Sequence, residues 1–135
     1  MNLLKACTFS ALAIAGLSLG TTSHAAGLKA VKPLNGYRCM VIDAPDEVMM
    51  DFQHPIEMHE APGEQSPTVS GISTVFAVAE PPETSGGFIK TMNFAFKPGW
   101  VSTKWVKPYE AVHPGVKCVP SVMSDGKLGF DFPRK

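Results

Sequence analysis

Several things that would name a chemistry are missing from this chain of 135 residues. It contains no C-x-x-C pair, no H-E-x-x-H pair, no nucleophile elbow and no phosphate-binding glycine loop. The short signatures of redox, zinc-protease, hydrolase and nucleotide chemistry are therefore absent. Charge of one sign is missing too. Twelve Lys and Arg stand against 12 Asp and Glu, so nothing indicates nucleic acid or an anionic membrane surface as a partner. There is no internal repeat, no long amphipathic helical stretch and no low-complexity tract beyond short Pro/Gly spacers. Tryptophan and tyrosine are few, with 2 of each, and there are 3 Cys.

The one long apolar run lies at the N-terminus. Lys5 is the only charge ahead of Ala6 to Leu19, and Gly20, Thr21, Thr22 and Ser23 break the run. An export signal needs a short cationic head, an apolar stretch of about 7–15 residues and small residues at the cut. Ser23-His24-Ala25 supplies the last of these, which predicts cleavage after Ala25. The run is shorter than the roughly 20 residues a membrane span needs. A buried N-terminal helix would carry a polar face, and this run has almost none. Cys7 sits near the start of the run rather than after it, which argues against a lipid anchor. Residues 1–25 are thus read as a signal peptide and the protein as periplasmic or secreted, with no membrane anchor after cleavage. The remainder, about 110 residues, suits one domain.

Loss of the signal also removes Cys7. Cys39 and Cys118 are left as the only pair in an oxidising compartment, and a disulfide between them is expected. Two free thiols, a metal pair or redox work are the alternatives.

Along the rest of the chain, β composition and turns alternate. Residues 26–36 have no clear period and are read as a flexible lead-in. Tyr37 to Ile42 is dense in β-formers and stops at Asp43-Ala44-Pro45-Asp46. Ile56 and Met58 alternate with Glu57 and His59, placing the apolar pair on one face of a strand. Further strands are expected at Val69 to Ile72, Val75 to Ala79, Phe88 to Met92 and Trp100 to Val106. Pro81 to Gly87 is a spacer that neither helix nor central strand could continue. Asp125-Gly126, between Val119–Met123 and Leu128–Phe132, is a strong hairpin signal. Many short strands with frequent turns point to an all-β small barrel or sandwich.

From Ile56 to Val106 the order of elements resembles the bacterial SH3-like (SH3b) domains, small barrels of exported proteins. Met58-His59-Glu60-Ala61-Pro62-Gly63 matches the family's first strand and loop, with His59 where Arg is usual. Val69-Ser70-Gly71-Ile72 and Val75-Phe76-Ala77-Val78 match its next two strands. Gly87-Phe88-Ile89-Lys90 looks like its Gly-aromatic step and Gly99-Trp100-Val101-Ser102 its Gly-Trp-Val step. Phe88 replaces the commoner Trp, and Phe94 to Lys97 lengthens a turn. The resemblance implies a single domain over 37–135 with an SH3-like core at 55–106. The Cys39 strand and a C-terminal β-hairpin would form a stapled extension. It also implies binding rather than catalysis, with a peptidoglycan peptide or an envelope protein as partner and no cofactor.

Aromatic side chains give a binding surface large contact area at little entropic cost. Phe88, Trp100, Trp105 and Tyr109 are accordingly the candidate groove. Trp100 and Trp105 would face opposite sides of one regular strand, with Trp105 the exposed one. Phe94 and Phe96 share a face and are expected in the core. No catalytic set is evident from His54, His59 and His113, since the remaining thiols are expected to be bridged. An alternative reading is copper handling by Met49, Met50, His54, Met58 and His59, because thioether and imidazole ligands suit Cu(I). Met58 on the apolar face of its strand argues instead for core packing.

Overall fold

The computed structural model describes residues 27–134. The expected signal segment lies outside them. In chain order come strands β1 (Ala30–Pro33) and β2 (Tyr37–Ile42), a helical turn α1 (Asp46–Met49), and strands β3 (Glu57–His59) and β4 (Thr68–Gly71). Next are β5 (Val75–Ala79), β6 (Thr84–Ser85), β7 (Phe88–Met92) and β8 (Pro98–Ser102). A 3₁₀ turn (Thr103–Trp105), β9 (Val106–Pro108), α2 (Tyr109–Val112), β10 (Val119–Met123) and β11 (Leu128–Asp131) complete the order. No helix among the described residues is long and apolar enough to cross a membrane.

The strands form three antiparallel sheets. Their orders are β1-β10-β11, β5-β2-β9 and β4-β3-β8-β7-β6. No ring of pairings closes these sheets into a barrel among the described residues, so the architecture is mostly β with very little helix. The segments that resemble the SH3-like steps at β3, β4, β7 and β8 share the five-stranded sheet. The hydrophobic strand β5 instead pairs with β2, which lies outside the resemblance.

Strand β2 explains the core. Its Met40 and Ile42 join Phe76 and Val78 of β5 against Ile89 of β7 and Val101 of β8. Its Cys39 and Val41 face the other way and pack with Tyr109, Cys118 and Phe130. A strand covered on both faces reads as a continuous apolar run, which is how Cys39-Met40-Val41-Ile42 reads. Each large aliphatic side chain so buried contributes about 1.5–3 kcal/mol. A polar link joins the same layers, with the buried Thr91 Oγ1 donating to the Ala77 carbonyl at 2.7 Å.

The expected disulfide is present between Cys39 and Cys118, with Cα atoms 6.1 Å apart, inside the usual range for such a bridge. The expected hairpin is present as well. Gly126 takes φ 78°, a left-handed value that glycine adopts without steric cost. Asp125 Oδ1 accepts from Lys127 N at 3.0 Å to hold the turn.

Three expectations are corrected. The lead-in read as a flexible arm contains β1, with Lys32 opposite Val122 and Pro33 opposite Ser121. All four β1 residues are exposed, so no buried face writes a period into the sequence. Phe94 and Phe96 are not core: they sit on a turn, 48% and 36% exposed. There Asn93 Oδ1 accepts from Ala95 N and Lys97 N, and the local turn replaces the strand that alternation implied. Trp100 to Val106 is not one strand either, because the 3₁₀ turn separates β8 from β9.

Candidate functional site

A cleft of about 480 Å³ opens on one side of the five-stranded sheet. It runs between the outer face of β3, the end of β8 and the segment after α1. Strand geometry supplies its first wall. Successive side chains alternate, so with Met58 wholly buried its neighbours Glu57 and His59 turn outward into the cleft. Ser102, Lys104 and Trp105 form the second wall, and Gln53, His54 and Glu64 complete the rim.

Local hydrogen bonds hold these groups. Ser102 Oγ accepts from Lys104 N and caps the 3₁₀ turn that presents Trp105. Lys104 Nζ lies 5.2 Å from the centre of the Trp105 ring, within the range of a cation–π contact. Glu57 Oε2 accepts from Thr68 Oγ1 at 2.8 Å.

Both histidines are oriented through the same ring atom. His59 Nδ1 lies 2.9 Å from the Ser66 carbonyl, which only accepts, so Nδ1 carries the proton. His54 Nδ1 lies 3.1 Å from Asp51 Oδ2, and the carboxylate imposes the same tautomer. In the neutral ring, Nε2 is then the acceptor left for other partners. Asp51 also accepts through Oδ1 from Gln53 N and His54 N. The His54 hydrogen bond holds the Asp51 carboxyl below its ordinary pKa of 3.8. The ionised Asp51 therefore clamps the turn that carries His54.

Of the four aromatic groove candidates, only Trp105 lines this cleft. Phe88 is 8% exposed and stands behind the wall, edge-on to His59 with ring centres 6.1 Å apart. Trp100 is half-buried and pairs across β8 with His59 and Lys90, outside the cleft lining. Tyr109 is buried with the disulfide in the second core cluster, stacked on His113 at 4.6 Å. The four do not converge on one groove. β7 and α2 place Phe88 and Tyr109 where burial of their rings contributes more than exposure could.

The five-residue copper set is not assembled. Met58 is 0% exposed on the inner face, opposite His59, and Met49 lines a separate apolar hollow with Phe52. Met50 is 65% exposed and lines neither that hollow nor the cleft. No cluster of three His, Cys, Asp or Glu side chains suited to a metal ion occurs among the described residues.

Glu57, Glu64, Ser102 and Lys104 are site residues that sequence reasoning missed. For Glu57 the signal was available, since the alternation that buries Met58 turns Glu57 out beside His59. Glu64 and Lys104 carry no such mark, because only the folded chain brings them to one cleft. Chemically, the cleft offers one flat aromatic face, carboxylates, an ammonium and imidazole nitrogens. Compared with known proteins, the chain matches no family model, no curated protein and no solved structure.

Proposed function

We propose that this protein is an exported, non-enzymatic binding module that takes a peptidoglycan peptide in the cleft beside Trp105. One observation carries the reading: a half-buried tryptophan is flanked by carboxylates from Glu57 and Glu64 and by the Lys104 ammonium. A wall peptide carries both carboxylates and amines, so each sign on the cleft has a counterpart on the ligand. The flat ring gives apolar contact to the peptide's small side chains. The apparent signal sequence and the Cys39–Cys118 bridge suit the compartment in which that ligand lies. An SH3-like arrangement of the segment 55–106 belongs to the same reading, supported by the four matched steps that share the five-stranded sheet.

Retention of purified protein on isolated peptidoglycan sacculi tests the proposal. Truncating a tryptophan at the centre of an interface costs about 2 kcal/mol, so Trp105→Ala should retain roughly 30-fold less protein. Trp105 also packs against the main core cluster. Lys104→Ala, exposed and outside the core, is therefore run beside it and should weaken retention with an unchanged melting curve. Negligible retention of the wild-type protein, or equal retention of all three, overturns the wall-peptide reading. Envelope-protein capture without sacculus binding would transfer the cleft to a protein partner.

A further inference from the structure

A second cavity, of about 250 Å³, opens beside the disulfide, lined by Arg38, Glu80, Tyr109, Glu110, Val116, Lys117 and the bridge itself. Arg38 precedes Cys39 on β2, Lys117 precedes Cys118, and both residues line the cavity. Two like charges at one cavity raise the local affinity for an anion. Glu80 and Glu110 line the same cavity and supply the opposite sign.

These four charges do not neutralise one another. The ion pairs among the described residues join His54 to Asp51, Lys90 to Glu83 and Lys107 to Asp43. None involves Arg38, Glu80, Glu110 or Lys117. Acids and bases thus share a cavity without closing to direct contact, which leaves their spacing to be bridged by a molecule between them. The Nε of Arg38 is enclosed and meets no acceptor among the described residues, so a ligand in the cavity would meet the terminal N–H groups of the guanidinium, which are shaped to receive a carboxylate as a pair.

We infer that this cavity binds a small zwitterion of the α-amino-acid class. Its carboxylate meets Arg38 and Lys117, and its ammonium meets Glu80 and Glu110. Net charge on the four side chains is zero, which matches a ligand of zero net charge carrying both signs. The cavity is smaller than the roughly 300–1,000 Å³ typical of drug-sized sites. Tyr109, buried beneath it, offers the non-polar part of the ligand an aromatic floor. The inference stands apart from the Trp105 cleft, with which this cavity shares no lining residue.

Calorimetric titration of the purified protein with alanine tests this, with glycine as a second zwitterion. Acetate and methylammonium serve as probes that carry one charge each. Alanine should bind saturably, and acetate and methylammonium at least about tenfold more weakly, the equivalent of one lost charge-assisted contact. Arg38→Met should weaken alanine by about tenfold or more, and so should Glu110→Gln, whose side chain is exposed and leaves the fold intact. Lys104→Ala, exposed and outside the core, should leave alanine binding unchanged, which separates this site from the wall-peptide cleft. If Arg38→Met does not fold, the exposed Lys117→Met takes its place. The proposal is overturned if neither amino acid saturates by about 10 mM. It is also overturned if acetate binds as well as alanine, or if the folded charge variants bind like wild type.

Discussion

Replacing both bridged cysteines, Cys39→Ala/Cys118→Ala, should cost this domain a large part of its stability. The bridge closes a loop with a sequence separation of 79 residues. In the chain-entropy treatment a loop of that length restrains the unfolded chain by about 4.5 kcal/mol at 25 °C. Domains of this size have about 5–15 kcal/mol in total. The bridge is also buried, with Cys39 3% exposed among Val41 and Tyr109, so the variant loses packing besides the constraint. Urea unfolding followed by tryptophan fluorescence measures the effect. With a slope of about 1.2–2 kcal/mol per molar, the midpoint should fall by about 2–4 M. The slope itself should rise, because an uncrosslinked unfolded chain exposes more surface. A midpoint within about 0.5 M of wild type would refute the reasoning, since the loop term alone exceeds that shift.

Two other perturbations follow from local geometry. A Cβ added at Gly99 would lie 2.5 Å from Met58 Cε and 3.2 Å from the His59 carbonyl, so Gly99→Ala should destabilise by about 1–3 kcal/mol. A wild-type melting temperature for that variant would contradict the close approach of β8 to β3. The Asp51 carboxyl, held down by its His54 hydrogen bond, should titrate below 3.8 by NMR and move back up in His54→Ala. A depressed folded value means that the bond strengthens the 51–54 turn above the unfolded pKa, and that this contribution is lost as pH falls through the folded one. An Asp51 titration that does not respond to His54→Ala would remove the clamp.

Most of the strands were legible in the sequence because each writes its burial into its composition. Tyr37–Ile42, Val75–Ala79 and Phe88–Met92 are dense in β-formers because both or alternate faces are covered. The disulfide was legible because the expected loss of an export signal would leave Cys39 and Cys118 as the remaining pair. The candidate site was only partly legible. His54, His59 and Trp105 were singled out, but for different sites, and nothing along the chain shows that they line one cleft. Phe94 and Phe96 misled because alternation of aromatics in so short a stretch fits a strand and a turn equally well. The clue lay in Asn93 and Lys97-Pro98-Gly99, whose turn chemistry prevails over two apolar rings. Tyr109 misled for a related reason. An aromatic residue near a proline reads the same whether it faces a ligand or roofs a disulfide.

The pairing of β1 with β10 has a consequence for how the chain reaches its final state. Ala30 lies opposite Met123, so β1 has no ladder partner until the chain as far as β10 is available. Contacts between such distant positions form late, because the intervening chain must be closed first. A shortened product that stops before Cys118 would lack β10 as well, leaving β1 with bare backbone groups and Cys39 without its partner. The β1–β10 ladder and the Cys39–Cys118 bridge thus both wait on the same stretch of chain, residues 118–123.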